Sequence, residues 1–251
     1  MHFNLAGKAA LVTGSSRGIG LAIAEALHSE GCSVALNSRN PEALANVAAR
    51  FPGAIAVAGD VTEPTEAQRV VSEVLSSFGK LDVVVCNVGS GKSVSPGEET
   101  SEEWQRVFGL NLWSTTNTLA AARDALADSK GAIVCISSIC GLEVIADAPI
   151  TYSAAKAALH AYVRGIARPL GKQGVRINAI APGNILSESS VWSRKLSENG
   201  AAVQTMLERD VALRRLGTPQ DVASLAVYLA SARAGFASGG IWTLDGGQVH
   251  S

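Results

Sequence analysis

Along this chain, short runs of apolar residues recur at nearly regular intervals, and between them lie longer stretches in which apolar positions return every three or four residues. The short runs 8–12, 33–37, 54–58, 81–86, 131–136, 175–180 and 240–244 read as strands, being compact, largely apolar and too brief for a helix. The longer stretches 19–30, 41–50, 64–78, 101–127, 152–171 and 218–231 read as helices. Strands that do not alternate apolar with polar are buried on both faces, as in a parallel sheet covered by helices on each side. The pattern predicts an α/β fold of Rossmann type, a doubly wound parallel sheet of about seven strands, in one 251-residue domain without internal repeat or linker.

Two segments break the rhythm. Residues 89–100 (GSGKSVSPGEET) follow the fourth strand, and residues 184–210 follow the turn Ala181-Pro182-Gly183 as a long insertion, read here as a substrate lid. Both start at carboxyl ends of strands, where ligands sit in open α/β sheets. Gly89-Ser90-Gly91-Lys92-Ser93 looks like the end of a phosphate-binding P-loop, but the required earlier glycine is replaced by Cys86, so a nucleoside triphosphatase is excluded.

Composition narrows the function classes. Hydrophobic residues make up 47% and charged residues 17%, which suits a globular chain with a large core. A net charge of -1, from 21 basic and 22 acidic residues, provides no broad positive field for nucleic acid or anionic lipid. Cys32, Cys86, Cys135 and Cys140 form no CxxC pair, and His2, His28, His160 and His250 are scattered, so buried free thiols and no metal site are expected. The N-terminus has no secretory pattern and no apolar stretch approaches the roughly 20 residues of a membrane span, so a cytoplasmic protein with no membrane partner is expected.

The first strand runs directly into Thr13-Gly14-Ser15-Ser16-Arg17-Gly18-Ile19-Gly20, where a helix opens. Glycines at such a turn let backbone N–H groups and the helix N-terminus approach a pyrophosphate, making Gly14, Ser16, Arg17, Gly18, Ile19 and Gly20 candidate cofactor contacts. At the end of the second strand, where an acid would read the adenosine ribose of NAD, the sequence is Asn37-Ser38-Arg39. With no carboxylate there and with Arg39 and Arg17 able to bind a 2′-phosphate, Ser38 and Arg39 favour NADP(H).

Tyr152 and Lys156 stand four apart at the start of an Ala-rich helix and so share one face. An ammonium beside a phenol favours the phenolate, which would lower the tyrosine toward neutrality and fit it for proton transfer. In one order along the chain, TGSSRGIG, Asp60, Asn87-Val88-Gly89, Asn111, Ser138, Tyr152-x-x-x-Lys156 and Pro182-Gly183 resemble a classical short-chain dehydrogenase/reductase, and the resemblance covers essentially the whole sequence. It implies a catalytic tetrad of Asn111, Ser138, Tyr152 and Lys156, with Ser138 rather than Ser137 as the functional serine. It also implies that Asp60 and Val61 border the adenine, Asn87, Gly89, Pro182 and Gly183 line the cofactor, and Ile185 and Ser187 meet the nicotinamide carboxamide. Tyr152 and Lys156 would touch the cofactor too, and Asn111 would fix a water. Val88 and Cys86 depart from the family's usual alanine and asparagine around Asn87.

The expected activity is an NADP(H)-dependent oxidoreduction between a carbonyl compound and a secondary alcohol, and the pattern is similar to that of 3-oxoacyl-[acyl-carrier-protein] reductases. A sugar, steroid or other small alcohol as substrate, with NAD(P), is the alternative. A catalytically silent NADP-binding regulator is a reading of another class, against which the intact Ser/Tyr/Lys set speaks. The substrate wall is expected from residues 144–150, 90–94 and the lid around Val191-Trp192. Arg194 and Lys195 could meet an acidic acyl carrier protein, though a solvated lid face explains them as well. Small residues including Ala120, Ala121, Ala122, Ala125, Ala154, Ala155, Ala157, Ala158 and Ala161, with the C-terminal segments 241–244 and 248–251, predict a homotetramer, or failing that a dimer.

Overall fold

The computed structural model of the chain describes residues 3–146, 148–188 and 190–250. His2, Asp147 of the expected substrate wall, Ser189 of the expected lid and Ser251 of the expected tail interface lie outside them. Seven strands form one all-parallel sheet: β1 (Ala9–Thr13), β2 (Ser33–Ser38), β3 (Ile55–Ala58), β4 (Val83–Cys86), β5 (Ala132–Ile136), β6 (Arg176–Pro182) and β7 (Ile241–Leu244). Their spatial order is β3-β2-β1-β4-β5-β6-β7, so the chain reverses direction across the sheet between β1 and β4. That reversal opens a crevice at the carboxyl ends of those two strands.

Side chains at alternate strand positions feed two separate cores. Ala10, Val12, Leu36, Val85, Val134 and Ile180 pack with helices α1 (Gly18–Ser29), α2 (Pro41–Ala48) and α8 (Pro219–Ala230). Leu11, Ala35, Val84, Ile133, Ile177 and Ala179 pack on the opposite face with α3 (Pro64–Phe78), α5 (Ser114–Ser129) and α6 (Ile150–Gly171). Helix starts follow local chemistry: Asn40 accepts from Ala43 N ahead of Pro41, and Thr218 and Asp221 form a reciprocal capping box around Pro219.

Two helices differ from the sequence reading. The expected helix over 101–127 is α4 (Ser101–Phe108), a π-helical stretch Gly109–Trp113 and then α5. The reason is Asn111, whose side-chain amide donates to Val107 O at 3.0 Å and occupies the carbonyl its own backbone N–H would use in an α-helix. The expected irregular insertion contains α7 (Val191–Asp210), started by a Ser190 side chain that accepts from Ser193 N and broken by non-helical Asn199.

At the amino ends of the strands, buried Asp82 accepts from Lys8 Nζ at 2.8 Å and from Ala9 N at 2.9 Å, tying β1 to β4. Burial pushes this carboxyl up, but the two hydrogen bonds and the charges of Lys8 and Lys80 outweigh it and hold it below the usual range. A carboxyl lowered on folding stabilises the protein above its unfolded pKa and loses that contribution as pH falls through the folded value. Asp82→Asn should therefore cost ~1–3 kcal/mol at pH 7 in urea unfolding. The gap from wild type should narrow below the ordinary carboxyl value of 3.8, and equal unfolding midpoints at pH 7 would refute the assignment.

Candidate active site

The glycine-rich turn sits where the sheet reverses, and its shape follows from close approach. Gly14 adopts φ +64°, and a Cβ on it would lie 3.0 Å from Asn87 Nδ2. A Cβ on Gly20 would lie 2.5 Å from Gly14 O. Asn87, just past β4, donates from Nδ2 to Thr13 O at 3.1 Å and Gly14 O at 3.0 Å, while its own N–H donates to Thr13 Oγ1. Its carboxamide thus clamps the turn from the neighbouring strand. Helix α1 starts with no side-chain cap, so its first-turn N–H groups are left for a ligand.

A cleft of about 1230 Å³ runs from this turn across the carboxyl ends of β4, β5 and β6. Of the residues singled out from the sequence, Gly14, Arg17, Gly18, Ile19, Asn87, Gly89, Ser138, Tyr152, Lys156, Pro182, Gly183, Ile185 and Ser187 line it. Ser187 reaches over the turn, its Oγ 3.7 Å from where a Gly18 Cβ would stand. Ser16 and buried Gly20 lie in the turn without lining the cleft. Ser38 and Arg39 end β2 one strand away, with the Arg39 guanidinium exposed and 3.6 Å from Asp60 Oδ2. Asp60 Oδ1 accepts from Thr62, and buried Val61 packs in the second core.

The end of β5 meets the start of α6 at the base of the cleft. Lys156, 3% exposed, donates from Nζ to Ile136 O at 2.9 Å and lies 5.8 Å from the Tyr152 ring centre. Ser138, one residue past Ser137, accepts from Cys140 N at 3.2 Å and stands near enough to the Tyr152 phenol to pull its pKa down. Buried Asn111 lies below: its Oδ1 accepts from Ser90 N, its Nδ2 donates to Ser90 O, and a Cβ on Gly89 would come within 2.9 Å of its Oδ1 and 3.2 Å of Lys156 Nζ.

The two adjacent serines separate cleanly. The buried His160 ring lies 2.7 Å from Ser137 Oγ through Nε2 and 3.1 Å from Gly141 O through Nδ1. A carbonyl only accepts, so Nδ1 carries the ring hydrogen, Nε2 accepts, and the Ser137 proton is committed to His160. Ser138 is placed differently: its Oγ accepts from Cys140 N and neighbours Tyr152.

The expected lowering of the phenol is not what the structure shows. Burial pushes Tyr152 up to about 12, opposed by the hydrogen bond with Ser138. Burial likewise lowers Lys156 to about 8. The Lys156 ammonium is bonded to a backbone carbonyl rather than to the phenol oxygen, so desolvation governs both groups. Tyr152 is therefore harder to ionise than a free phenol.

The expected lid contributes Asn184 and Met206 to the cleft wall, while sequence reasoning missed Val211, Arg214, Gly247, Gln248 and His250. The turn signal Asp245-Gly246-Gly247 marks the return of the chain after β7: the Asp245 carboxylate accepts from the N–H groups of Gly247, Gln248 and Val249. Of the four cysteines, all free, Cys32, Cys86 and Cys135 are buried, but Cys140 is half-buried and lines the cleft.

Residues 14–249 match the family model described as enoyl-(acyl carrier protein) reductase. A protein assigned to the granaticin polyketide synthase of Streptomyces violaceoruber as its second ketoacyl reductase is 37% identical over 95% of this chain and 94% of its own length. The chain belongs to the short-chain dehydrogenase/reductase family. Its structure superposes on that of L-sorbose reductase from Gluconobacter frateurii, complexed with NADPH and L-sorbose, with a TM-score of 0.93, 31% identity and full coverage of both chains. A 7α-hydroxysteroid dehydrogenase complexed with NADH and 7-oxo glycochenodeoxycholic acid gives a TM-score of 0.89 at 30% identity, over 100% of this chain and 97% of its own. This short-chain dehydrogenase/reductase is an oxidoreductase that interconverts a carbonyl compound and an alcohol with a nicotinamide cofactor. Among the described residues, no helix is long and apolar enough to cross a membrane.

Proposed function

We propose that the protein reduces a small-molecule carbonyl compound with NADPH, using Tyr152 as proton donor; the observation that carries this reading is the convergence of Tyr152, Ser138 and Lys156 at the base of the cleft. The cofactor fits the residues present: Gly14, Arg17, Gly18 and Ile19 of the turn open onto the cleft, and the uncapped α1 N-terminus suits a pyrophosphate. When bound, NADPH supplies the hydride. The Gly14–Gly20 turn, Arg17 and Ser187 would hold its phosphates and nicotinamide end, with Ile185, Pro182, Gly183, Gly89 and Asn87 around it and Asp60 and Val61 toward the adenine. Ser38 and Arg39 would take the 2′-phosphate.

On the protein side, Ser138 Oγ donates to the substrate carbonyl and stabilises charge developing on its oxygen. Tyr152 gives that oxygen its proton. The Lys156 ammonium stabilises the phenolate left behind, and Asn111 holds a water through which the site is reprotonated. Among residues 184–210, α7 acts as the substrate lid, with Trp192 and Met206 on its cleft side. The wall of Val144, Ile145, Ala148 and Trp192 is apolar, which, with the likeness to a ketoacyl reductase, supports a 3-oxoacyl thioester; the likeness to L-sorbose reductase supports a sugar. Lys195 lies 4.8 Å over the Trp192 ring, and the exposed Arg194 pairs with Glu198, contacts that an acidic acyl carrier protein would have to share. A screen of NADPH oxidation across simple ketones, acetoacetyl thioesters, sugars and quinones tests activity and substrate class together.

Assembly as a homotetramer in the cytoplasm completes the proposal. Strand β7 is the sheet edge and Phe236 beside it is fully exposed; Trp113, Ala120, Ala157 and Ala161 are exposed along the α5 and α6 region. Ala122 and Ala155, by contrast, are fully buried core residues, so they do not contribute to such a surface.

Three measurements follow. Tyr152→Phe should retain NADPH binding while turnover falls ~10²–10⁴-fold; Ser138→Ala should lower turnover strongly and Ser137→Ala much less. Near-normal turnover of Tyr152→Phe, or a Ser137→Ala loss equal to that of Ser138→Ala, would overturn the assignment. In a binding titration NADPH should be at least about tenfold tighter than NADH, a difference of ~1.4 kcal/mol, and Arg39→Ala should remove most of it; equal affinities in the wild type would defeat the preference. Light scattering during size exclusion should give about four times the 25.8 kDa of one chain, and a monomer mass would rule assembly out.

A further inference from the structure

We propose that His160 is a positioning residue for the reaction: it latches both ends of the Ser137–Gly141 segment to α6 and so sets the distance between Ser138 and Tyr152. The inference rests on the roles proposed for those two residues.

The latch is built from four contacts. Nε2 of His160 takes the Ser137 hydroxyl at 2.7 Å, and Nδ1 donates to Gly141 O at 3.1 Å. One ring therefore grips the segment on either side of Ser138. Lys156 Nζ adds a bond to Ile136 O at 2.9 Å, and Ser137 N donates to Ile180 O at 2.7 Å, anchoring the same segment to β6. The turn is seated without slack, because a Cβ on Gly141 would lie 2.7 Å from Lys156 C and 2.8 Å from His160 Cε1.

Spacing makes this arrangement act on the chemistry. Tyr152, Lys156 and His160 lie at four-residue intervals along one face of α6, so the helix that presents the phenol also carries the latch one and two turns further on. Within the segment, Cys140 N bonds Ser138 Oγ and Gly141 N bonds Ser138 O, so a shift of Gly141 is passed to Ser138 directly. His160 is 3% exposed, and burial lowers it to about 4, which keeps it neutral with Nε2 free to accept. It does not line the cleft and touches no reacting atom. Its effect must pass through Ser138.

The test uses a signal that needs no substrate. The chain has three tyrosines, Tyr152, Tyr162 and Tyr228, so 3-fluorotyrosine labelling gives three fluorine resonances, with that of Tyr152 assigned by its loss in Tyr152→Phe. In His160→Leu, which keeps the bulk but neither bond, the Tyr152 resonance should move toward its position in Ser138→Ala, while those of Tyr162 and Tyr228 stay. On the best carbonyl of the NADPH screen, kcat should fall about tenfold or more, with KM changed less than about twofold. His160→Gln, whose carboxamide can accept from Ser137 and donate to Gly141 O, should restore most of both signals. Should His160→Leu not fold, Ser137→Ala removes one of the two bonds and should shift the same resonance in the same direction by less. An unmoved Tyr152 resonance in a folded His160→Leu or in Ser137→Ala overturns the proposal, as does a His160→Gln variant indistinguishable from His160→Leu. If Tyr152→Phe turns over normally, the assignment of Tyr152 fails instead, and the fluorine result still decides whether His160 holds the turn.

Discussion

An ammonium group buried against a backbone carbonyl organises the centre of this molecule. Lys156 is nearly inaccessible and donates to Ile136 O, the last residue of β5. Burying a cation is unfavourable unless it finds a partner, and a carbonyl dipole compensates less than a carboxylate would, which is why its pKa falls to about 8. The bond forms in one register of α6 on β5. That register dictates the helix's whole inner face: one turn before Lys156 stands Tyr152, half-buried at the cleft, and one turn after stands His160, sealed in the interior. Three successive turns of one helix thereby present a phenol at the cleft and then a cation and a neutral imidazole that are both buried.

The cofactor end of the cleft obeys a different constraint, the direct pairing of β1 with β4. Val12 is in register with Val85, so the residue two beyond Val85, Asn87, arrives beside the turn that leaves β1. Its amide bonds Thr13 O and Gly14 O, and the glycines are needed because side chains at 14 and 20 would collide with that amide. The two ends of the cleft are rigid for unrelated reasons, and both reasons lie in the backbone.

This division explains what was legible in the sequence. All seven strands were readable because their apolar runs are too brief for a helix, even at the partly buried edges β3 and β7, and six stretches with an apolar period covered every α-helix except α7. The glycine turn and the Tyr152/Lys156 pair were readable because each needs a fixed residue type at a fixed spacing. The π-helical stretch was not, since it depends on Asn111 reaching back to Val107 O, a choice that periodicity does not record. Helix α7 was obscured by Asn199-Gly200 in its middle and by a sparse apolar face, with Val203 and Leu207 its buried residues. The raised phenol was also hidden: sequence spacing brings the ammonium near Tyr152, but the competing bond to Ile136 O and the extent of desolvation are tertiary facts.

The outer wall of the cleft is assembled under weaker constraints than its floor. Val203, Leu207 and Val211 form a small apolar cluster with Trp192, Met206 and Leu216, separate from the two cores on the sheet. The tail joins this wall by short contacts: Leu213 N donates to Gly246 O, and His250 N donates to Glu143 Oε1. Because α7 and the tail share few partners with the sheet, their side chains can change without disturbing the register of α6 on β5. Relatives with the same fold are described in complex with molecules as unlike as L-sorbose and 7-oxo glycochenodeoxycholic acid. A floor set by backbone register and a wall set by a detachable cluster is the physical arrangement that permits such variety, so the specificity of this chain is to be sought among Trp192, Met206, Gln248 and their neighbours, while the proton chemistry proposed for Tyr152 and Ser138 belongs to the floor.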